Sequence, residues 1–266
     1  MAKLVPQPGR VLFAPLIWRL ALKIEQLSWN DVAHSVPETI FMLRSAQRLF
    51  KQDVACASFD TWMEAEAAGA VVERDELGQV TNRLALPADL PSVDTLLGAE
   101  PVTHAVEVLR RLAQDAGDSI PLATMTAAAT LLRRLGGGQL DYAQQVMLGL
   151  ARAYCEAGAG ALVLLDEEPS GDFAELSEFA ALFNLAEYYA TPIVILSREP
   201  VSAAGAAAAE RAGALLLTHD ASSAGVVALP PAGDVGTGWL AMSRWEVDPD
   251  TDPNAVQSWR QQTAAA

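Results

Sequence analysis

Residues 161–197 read ALVLLDEEPSGDFAELSEFAALFNLAEYYATPIVILS. The two ends of this stretch, ALVLLD (161–166) and PIVILS (192–197), are short apolar runs without alternation. A strand with one face in water alternates apolar and polar residues, whereas a strand covered on both faces does not. Between the runs, FAELSEFAALFNLAEYYA (173–190) reads as a helix. Thr191-Pro192 stops it, because the residue before a proline is driven out of the helical region. Strand, helix, strand, with both strands covered on two faces, is the unit of a parallel sheet with helical crossovers.

Outward from this unit the same kind of run recurs. VLFAPLI (11–17), VACASF (54–59) and IPLATMT (120–126) precede it, and ALLLTH (214–219), VVALP (226–230) and WLAMS (239–243) follow. The segments between them supply helices. PETIFMLRSAQRLF (37–50) sets Ile40, Leu43, Gln47 and Phe50 near one stripe, and Val102, Val106, Leu109 and Leu112 recur at helical steps over 101–116. DYAQQVMLGLARAYCEAG (141–158) ends at Gly158, a C-terminal cap residue. The Ala-rich SAAGAAAAERAG (202–213) is a small, closely packing helix between two strands. Eight strands alternating with helices predict an α/β protein of the (β/α)8 TIM-barrel type. Its C-terminal βα units are shortened, because the last three runs follow one another closely. The chain reads as one domain, 1–266, of ordinary size for a barrel of about 250 residues. Residues 70–98 form a hairpin and loop insertion. A doubly wound open sheet is the competing architecture, and no Gly-x-Gly-x-x-Gly loop supports it.

Thirty-three acidic residues against 18 basic ones give a net charge of −15. Such a surface repels phosphate backbones and anionic membranes, which argues against nucleic acid or membrane as a partner. A polyanionic ligand would need a local basic pocket set against the overall field. Cys56 and Cys155 lie in apolar surroundings with no neighbouring Cys or His, and read as buried reduced thiols. VLFAPLIWRLAL near the start is broken by Arg19 and followed by no A-x-A pattern, and no run has the roughly 18 apolar residues of a membrane span. The expected location is the cytoplasm.

A barrel of this kind carries its active site at the C-terminal ends of its strands. Asp60 follows the second run and Asp166-Glu167 end the fourth. Arg198 follows the fifth, His219 ends the sixth and Arg244 follows the eighth. Asp60 fits two roles: N-cap of a helix beginning at Thr61, or a pocket carboxylate that binds ligand N–H groups or stabilises a cation. His34, His104 and His219 are far apart, and none stands at zinc-ligand spacing with a cysteine, so no metal site is expected. His34 and His104 read as surface residues. Gly136-Gly137-Gly138 reads as a helix stop rather than a phosphate cradle.

These segments resemble the uroporphyrinogen decarboxylase superfamily, a group of (β/α)8 barrels that also contains corrinoid- and coenzyme M-linked methyltransferases. SFDTWMEAEAAGA (58–70) carries Phe59-Asp60 and then Glu66-Ala67-Ala68-Gly69-Ala70, with the family's Asp-to-Glu spacing. PETIFMLRSAQRLFKQD (37–53), ATLLRRLGGG (129–138), AYCEAGAGALVLLDEEPSGDF (153–173) and VDPDTDPNAV (247–256) are similar to other family segments. The family's N-terminal Arg-Gln-Ala-Gly-Arg is matched only by Arg19-Leu-Ala-Leu-Lys23. The His-x-Cys-type zinc motif of the methyltransferases is replaced by LSREP around Arg198.

The resemblance implies a metal-independent decarboxylase acting on a tetrapyrrole-like or small carboxylated ligand. Asp60 is its catalytic carboxylate, with Arg19, Asp166, Arg198, His219 and Arg244 as substrate-binding candidates and no cofactor. The alternatives are a methyltransferase that takes a corrinoid protein as partner, and a non-catalytic barrel that binds a ligand or protein. Family members are often homodimers.

Overall fold

The structure, a computed structural model, describes residues 2–115, 117, 119–138, 140–167, 178–218, 222–229 and 238–264. The apolar runs become strands and the periodic segments become helices. The first third contains β1 (Leu12–Ala14), α1 (Trp18–Glu25), α2 (Trp29–Ala33), α3 (Val36–Phe50), β2 (Val54–Cys56) and α4 (Met63–Ala67). A hairpin of β3 (Val71–Arg74) and β4 (Val80–Ala85) follows, then α5 (Val93–Leu97), α6 (Glu100–Gln114), β5 (Ile120–Thr126) and α7 (Ala128–Arg134). Next come α8 (Leu140–Ala157), β6 (Ala161–Asp166), α9 (Ala180–Tyr188), β7 (Ile193–Ser197) and α10 (Ala203–Arg211). The chain closes with β8 (Leu215–Leu217), β9 (Val226–Leu229), β10 (Leu240–Ser243) and α11 (Pro253–Ala264).

Local chemistry sets several of these boundaries. Ser35 caps α3 by accepting the Glu38 amide, with Pro37 in the first turn, where a missing N–H costs nothing. Gly136, Gly137 and Gly138 all take positive φ just beyond α7, which is the helix stop expected of them. The helix expected over 173–190 is seen as α9 from Ala180; its first residues, 173–177, lie outside the described residues. No helix is found among the described residues between β8 and β10; residues 219–221 and 230–237 lie outside them.

Two parallel sheets result. One has the order β2-β5-β6-β7-β8 and the other β1-β10-β9. The pair ALVLLD and PIVILS lies side by side in register from Leu162 opposite Ile193 to Asp166 opposite Ser197. Between β1 and β2 the Asp53 amide donates to Phe13 O at 3.0 Å. Between β8 and the approach to β9, the Leu216 amide donates to Ser223 Oγ at 2.7 Å.

Alternate strand residues serve two separate cores, the physical reason that the runs do not alternate in polarity. Leu162, Leu164, Ile193 and Ile195 pack with the helices. Val163, Leu165, Val194 and Leu196 join Leu12, Val54, Leu122, Leu217, Val226 and Met242 in a second cluster, to which every strand of both sheets contributes. Each such side chain contributes about 1.5–3 kcal/mol on burial.

The chain ends are tied to this frame. Buried Asp53 accepts the Phe13 amide at 2.8 Å and pairs with Arg10 near the N-terminus and with Arg260 on α11. The Leu4 amide donates to Gly160 O, and a Cβ on Gly160 would lie 2.4 Å from Ile120 Cγ2 and 2.8 Å from Ala2 O. Among the described residues no helix is long and apolar enough to cross a membrane.

Candidate active site

A cavity of about 510 Å³ opens at the C-terminal ends of the strands. Its floor comes from segments that follow strands: Trp18 and Arg19 after β1, Phe59 to Trp62 after β2, Glu167 after β6, Arg198 after β7, and Trp245 and Glu246 after β10. The β3–β4 hairpin forms the opposite wall. Its tip is held by Asp75, whose Oδ1 accepts the Leu77 and Gln79 amides. Glu76 O accepts the Trp29 amide, which docks the tip onto the start of α2. Gly78, at φ +86, lies flush against the Trp29 ring, where a Cβ would come within 2.2 Å of Cε3.

Asp60 stands at the centre of the polar wall. The helix starts at Met63, two residues later than the capping reading requires, and α4 has no side-chain cap. Asp60 Oδ1 instead accepts the Trp62 amide at 2.9 Å, leaving Oδ2 for the cavity. There it accepts from Arg74 Nη2 at 2.8 Å, and the same nitrogen pairs with Glu66. Arg74 also donates to Gly78 O at 2.7 Å and stacks over Trp29 at 4.5 Å. The Asp60–Glu66 spacing in the sequence is therefore a two-carboxylate clasp on one buried guanidinium. Burial pushes the Glu66 carboxyl upward, against the opposing pull of Arg74.

Two further clasps line the cavity. Glu246 accepts the backbone amide of Arg19 at 2.6 Å and pairs with its guanidinium, which also reaches Gln79. Burial raises the Glu246 carboxyl to about 7 despite Arg19 beside it. Glu167 pairs with Arg134 and Arg198 and accepts from Thr61 Oγ1 at 2.9 Å. Arg134 lies over the Trp62 ring, and Phe59 meets Trp245 edge to face at 5.2 Å. Behind the cavity, Glu64 accepts from both the amide and the hydroxyl of Thr126 and so fixes the end of β5. Its carboxyl is raised to about 7, chiefly by burial.

The candidates from sequence divide accordingly. Asp60, Arg19 and Arg198 line the cavity together. Asp166 does not: it is 1% exposed at the end of β6, bonded to Thr130 at 3.2 Å and Ser197 at 3.3 Å. Its side chain lies on the helix-facing side of its strand, in line with Leu162 and Leu164 and against Thr130 of α7, and Glu167 takes the place at the cavity. Arg244 is exposed and outside the lining, because the chain turns after Ser243 and presents Trp245 and Glu246 instead. His219 lies outside the described residues. His34 is exposed and paired with Glu100, whereas His104 is partly buried 3.4 Å from Thr39, which corrects its reading as a surface residue. Among the described residues no cluster of His, Cys, Asp and Glu is arranged to hold a metal. Cys56 and Cys155 are unpaired, and burial pushes the Cys56 thiol up to about 12.

Arg74, Arg134, Glu246 and the tryptophans were not reached from the sequence. Arg74 sits in the insertion, and Arg134 in a segment whose sequence signal is its run of glycines. A tryptophan beside each of Arg19 and Glu246, in Trp18-Arg19 and Trp245-Glu246, was the available signal.

No family model matches the sequence, and no curated protein is similar enough to align with it. Among solved structures, the chain is similar to a methyltransferase from Methanosarcina mazei, with 13% identity over 97% of this chain and 94% of that one and a TM-score of 0.73. The carboxyl transferase domain of pyruvate carboxylase from Rhizobium etli, solved with oxamate and biotin, aligns at 16% identity over 96% of this chain and 48% of that one. Its TM-score is 0.27, too loose a superposition to argue from. The first likeness shows an α/β fold shared over nearly the whole chain.

Proposed function

We propose that the two parallel sheets are arcs of one closed (β/α)8 barrel, a single domain over 1–266 with 70–98 inserted. We further propose that its cavity decarboxylates a carboxylated ring compound, a tetrapyrrole or a smaller relative. The apolar cluster shared by every strand of both sheets supports closure. The ligand reading rests on one observation. In a chain of net charge −15, five arginines, Arg19, Arg74, Arg83, Arg134 and Arg198, outnumber the three carboxylates Asp60, Glu167 and Glu246 in one cavity that also holds four of the six tryptophans. This is the local basic pocket that an anionic ligand requires, with flat apolar surfaces for a ring.

The chemistry follows from the carboxylates. Glu246 holds a proton near neutral pH and donates it to a ring carbon. Asp60, anchored by Arg74, stabilises the resulting ring cation. The bond to the substrate carboxylate then breaks and CO₂ leaves. Its electron pair neutralises the cation as an exocyclic double bond. A solvent proton adds to the methylene, and the ring carbon returns its proton to Glu246, so one proton is consumed per CO₂. Incubation with uroporphyrinogen and smaller carboxylated pyrroles, with product analysis, tests this reading. Turnover lost in Asp60→Asn supports it. Absence of both turnover and tryptophan quenching by carboxylated porphyrins removes it.

Methyl transfer from a corrinoid protein is the second reading, supported by the fold shared with the Methanosarcina mazei methyltransferase. Demethylation of methylcobalamin, followed by absorbance, distinguishes it from decarboxylation.

A further inference from the structure

The hairpin that walls the cavity also touches the pair formed by Arg19 and Glu246. Arg19 Nε donates to Glu246, and Arg19 Nη1 donates to Gln79 Oε1 at the hairpin tip. The third nitrogen, Nη2, has no acceptor among the described residues. Arg74 differs, because all three of its side-chain nitrogens are taken: Nε by Glu66, Nη1 by Gly78 O and Nη2 by Asp60 and Glu66. Arg19 is thus a guanidinium that lines the cavity beside Glu246 with an amino group to spare.

Two contacts decide where that group points. A guanidinium is planar, so one bond at Nε lets it pivot, and a second at Nη1 fixes its plane. The second bond comes from a firmly placed residue. The Gln79 amide donates to Asp75 Oδ1 at 2.8 Å, and Gln79 O accepts from the Asp75 amide at 3.0 Å. Arg19 is held from its own side, where its backbone amide donates to Glu246 Oε1 at 2.6 Å.

The Gln79 side-chain amide has one workable orientation. Arginine carries no acceptor, so the amide oxygen faces Arg19 and the Nε2 group faces away. Among the described residues Nε2 has no acceptor either, and Gln79 is an exposed part of the cavity lining. Two donor groups on neighbouring side chains are therefore left unmatched next to Glu246. Glu246 spends its two oxygens on the Arg19 amide and Nε. Burial raises its carboxyl to about 7, so near neutral pH it offsets only part of the Arg19 charge.

We propose that Gln79 is a specificity-determining residue of the cavity. It aims Arg19 Nη2 and adds its own Nε2 donor, and the two together seat a carboxylate of the ligand beside Glu246. This seat presupposes the carboxylated ring ligand proposed above. It gives the inserted hairpin a part in recognition: the neutral amide favours an acid because the guanidinium it orients carries the charge.

The full chain is titrated by calorimetry with pyrrole-3-propionate and, separately, with its neutral carboxamide. The parent should bind the acid roughly tenfold more tightly than the amide, the margin of one charged hydrogen bond. Gln79→Met keeps the length of the side chain without donor or acceptor, and should bring the two affinities within about threefold. Gln79→Glu keeps an acceptor for Arg19 but replaces the second donor by an anion, and should leave the acid no tighter than the amide. Looser packing would weaken both ligands alike and leave their ratio untouched, so the ratio separates recognition from stability. A parent that binds neither compound, or binds both equally, overturns the proposal. So do Gln79 variants that keep the parent's preference. Porphyrin quenching and turnover are measured independently, so the carboxylated-ring reading stands where only this preference fails.

Discussion

The guanidinium of Arg134 lies 4.1 Å from the centroid of the Trp62 ring while its Nη2 pairs with Glu167. One face of the cation is held by a π surface and one edge by a carboxylate. Its Nε is buried without an acceptor among the described residues, and the ring contact is what covers it. Trp62→Leu should weaken binding of a carboxylated ring about fivefold by calorimetry and cost on the order of 3 kcal/mol in urea denaturation. Trp62→Phe, which keeps a ring, should recover most of both.

The clasp on Arg74 gives a pair of expectations. Asp60→Asn leaves the guanidinium with Glu66, so the fold should survive with a loss of roughly 1–3 kcal/mol while turnover disappears. Arg74→Met leaves two facing carboxylates without a counter-ion and should cost more. Denaturant midpoints of the two variants decide the matter; an Arg74→Met protein as stable as Asp60→Asn would mean that the clasp holds nothing together.

Glu64 makes stability depend on pH with a definite sign. Its carboxyl is raised from 4.5 to about 7, so between those values the folded chain binds a proton that the unfolded chain has released. The stability gained from the neutral acid is complete below 4.5 and is lost as pH rises through about 7. Glu64→Gln keeps the shape without the charge. Its stability relative to the parent should rise by on the order of 2–3 kcal/mol between pH 5 and 8. A flat difference across that range rules out a buried neutral acid.

The same raised value on Glu246 bears on catalysis. A proton donor with a carboxyl near 7 is competent below that pH and spent above it. Turnover should therefore fall on the alkaline side of about 7, and Glu246→Gln should abolish it across the profile. If the variant keeps an unchanged alkaline limb, the donor is another group.

Gly160 offers a test of packing alone. Because a Cβ there meets the Ala2 carbonyl oxygen as well as Ile120, side-chain adjustment cannot relieve the crowding. Gly160→Ala should cost roughly 1–3 kcal/mol by thermal or chemical denaturation, with ligand binding unchanged.

The strands were legible because burial on two faces writes itself into composition: ALVLLD and IPLATMT match β6 and β5 residue for residue. The cavity was legible only in the segments that lead away from strand ends, where Asp60, Arg19 and Arg198 lie. Arg74 and Arg134 reach it from a hairpin and a helix end, and sequence distance does not say where such arms will point. Asp166 and Glu167 show the limit at its finest. They are neighbours of like charge, and only strand register decides that one is walled in and the other faces the cavity.

Asp53 receives the Phe13 amide, Arg10 and Arg260 at once. The beginning and the end of the chain are thereby fastened to one carboxylate next to the second strand. Fraying of α11 would strip Arg260 from that charge and loosen the first strand, although nearly the whole sequence separates them. The two terminal segments should therefore unfold together, so that removing Arg260 is felt at the first strand.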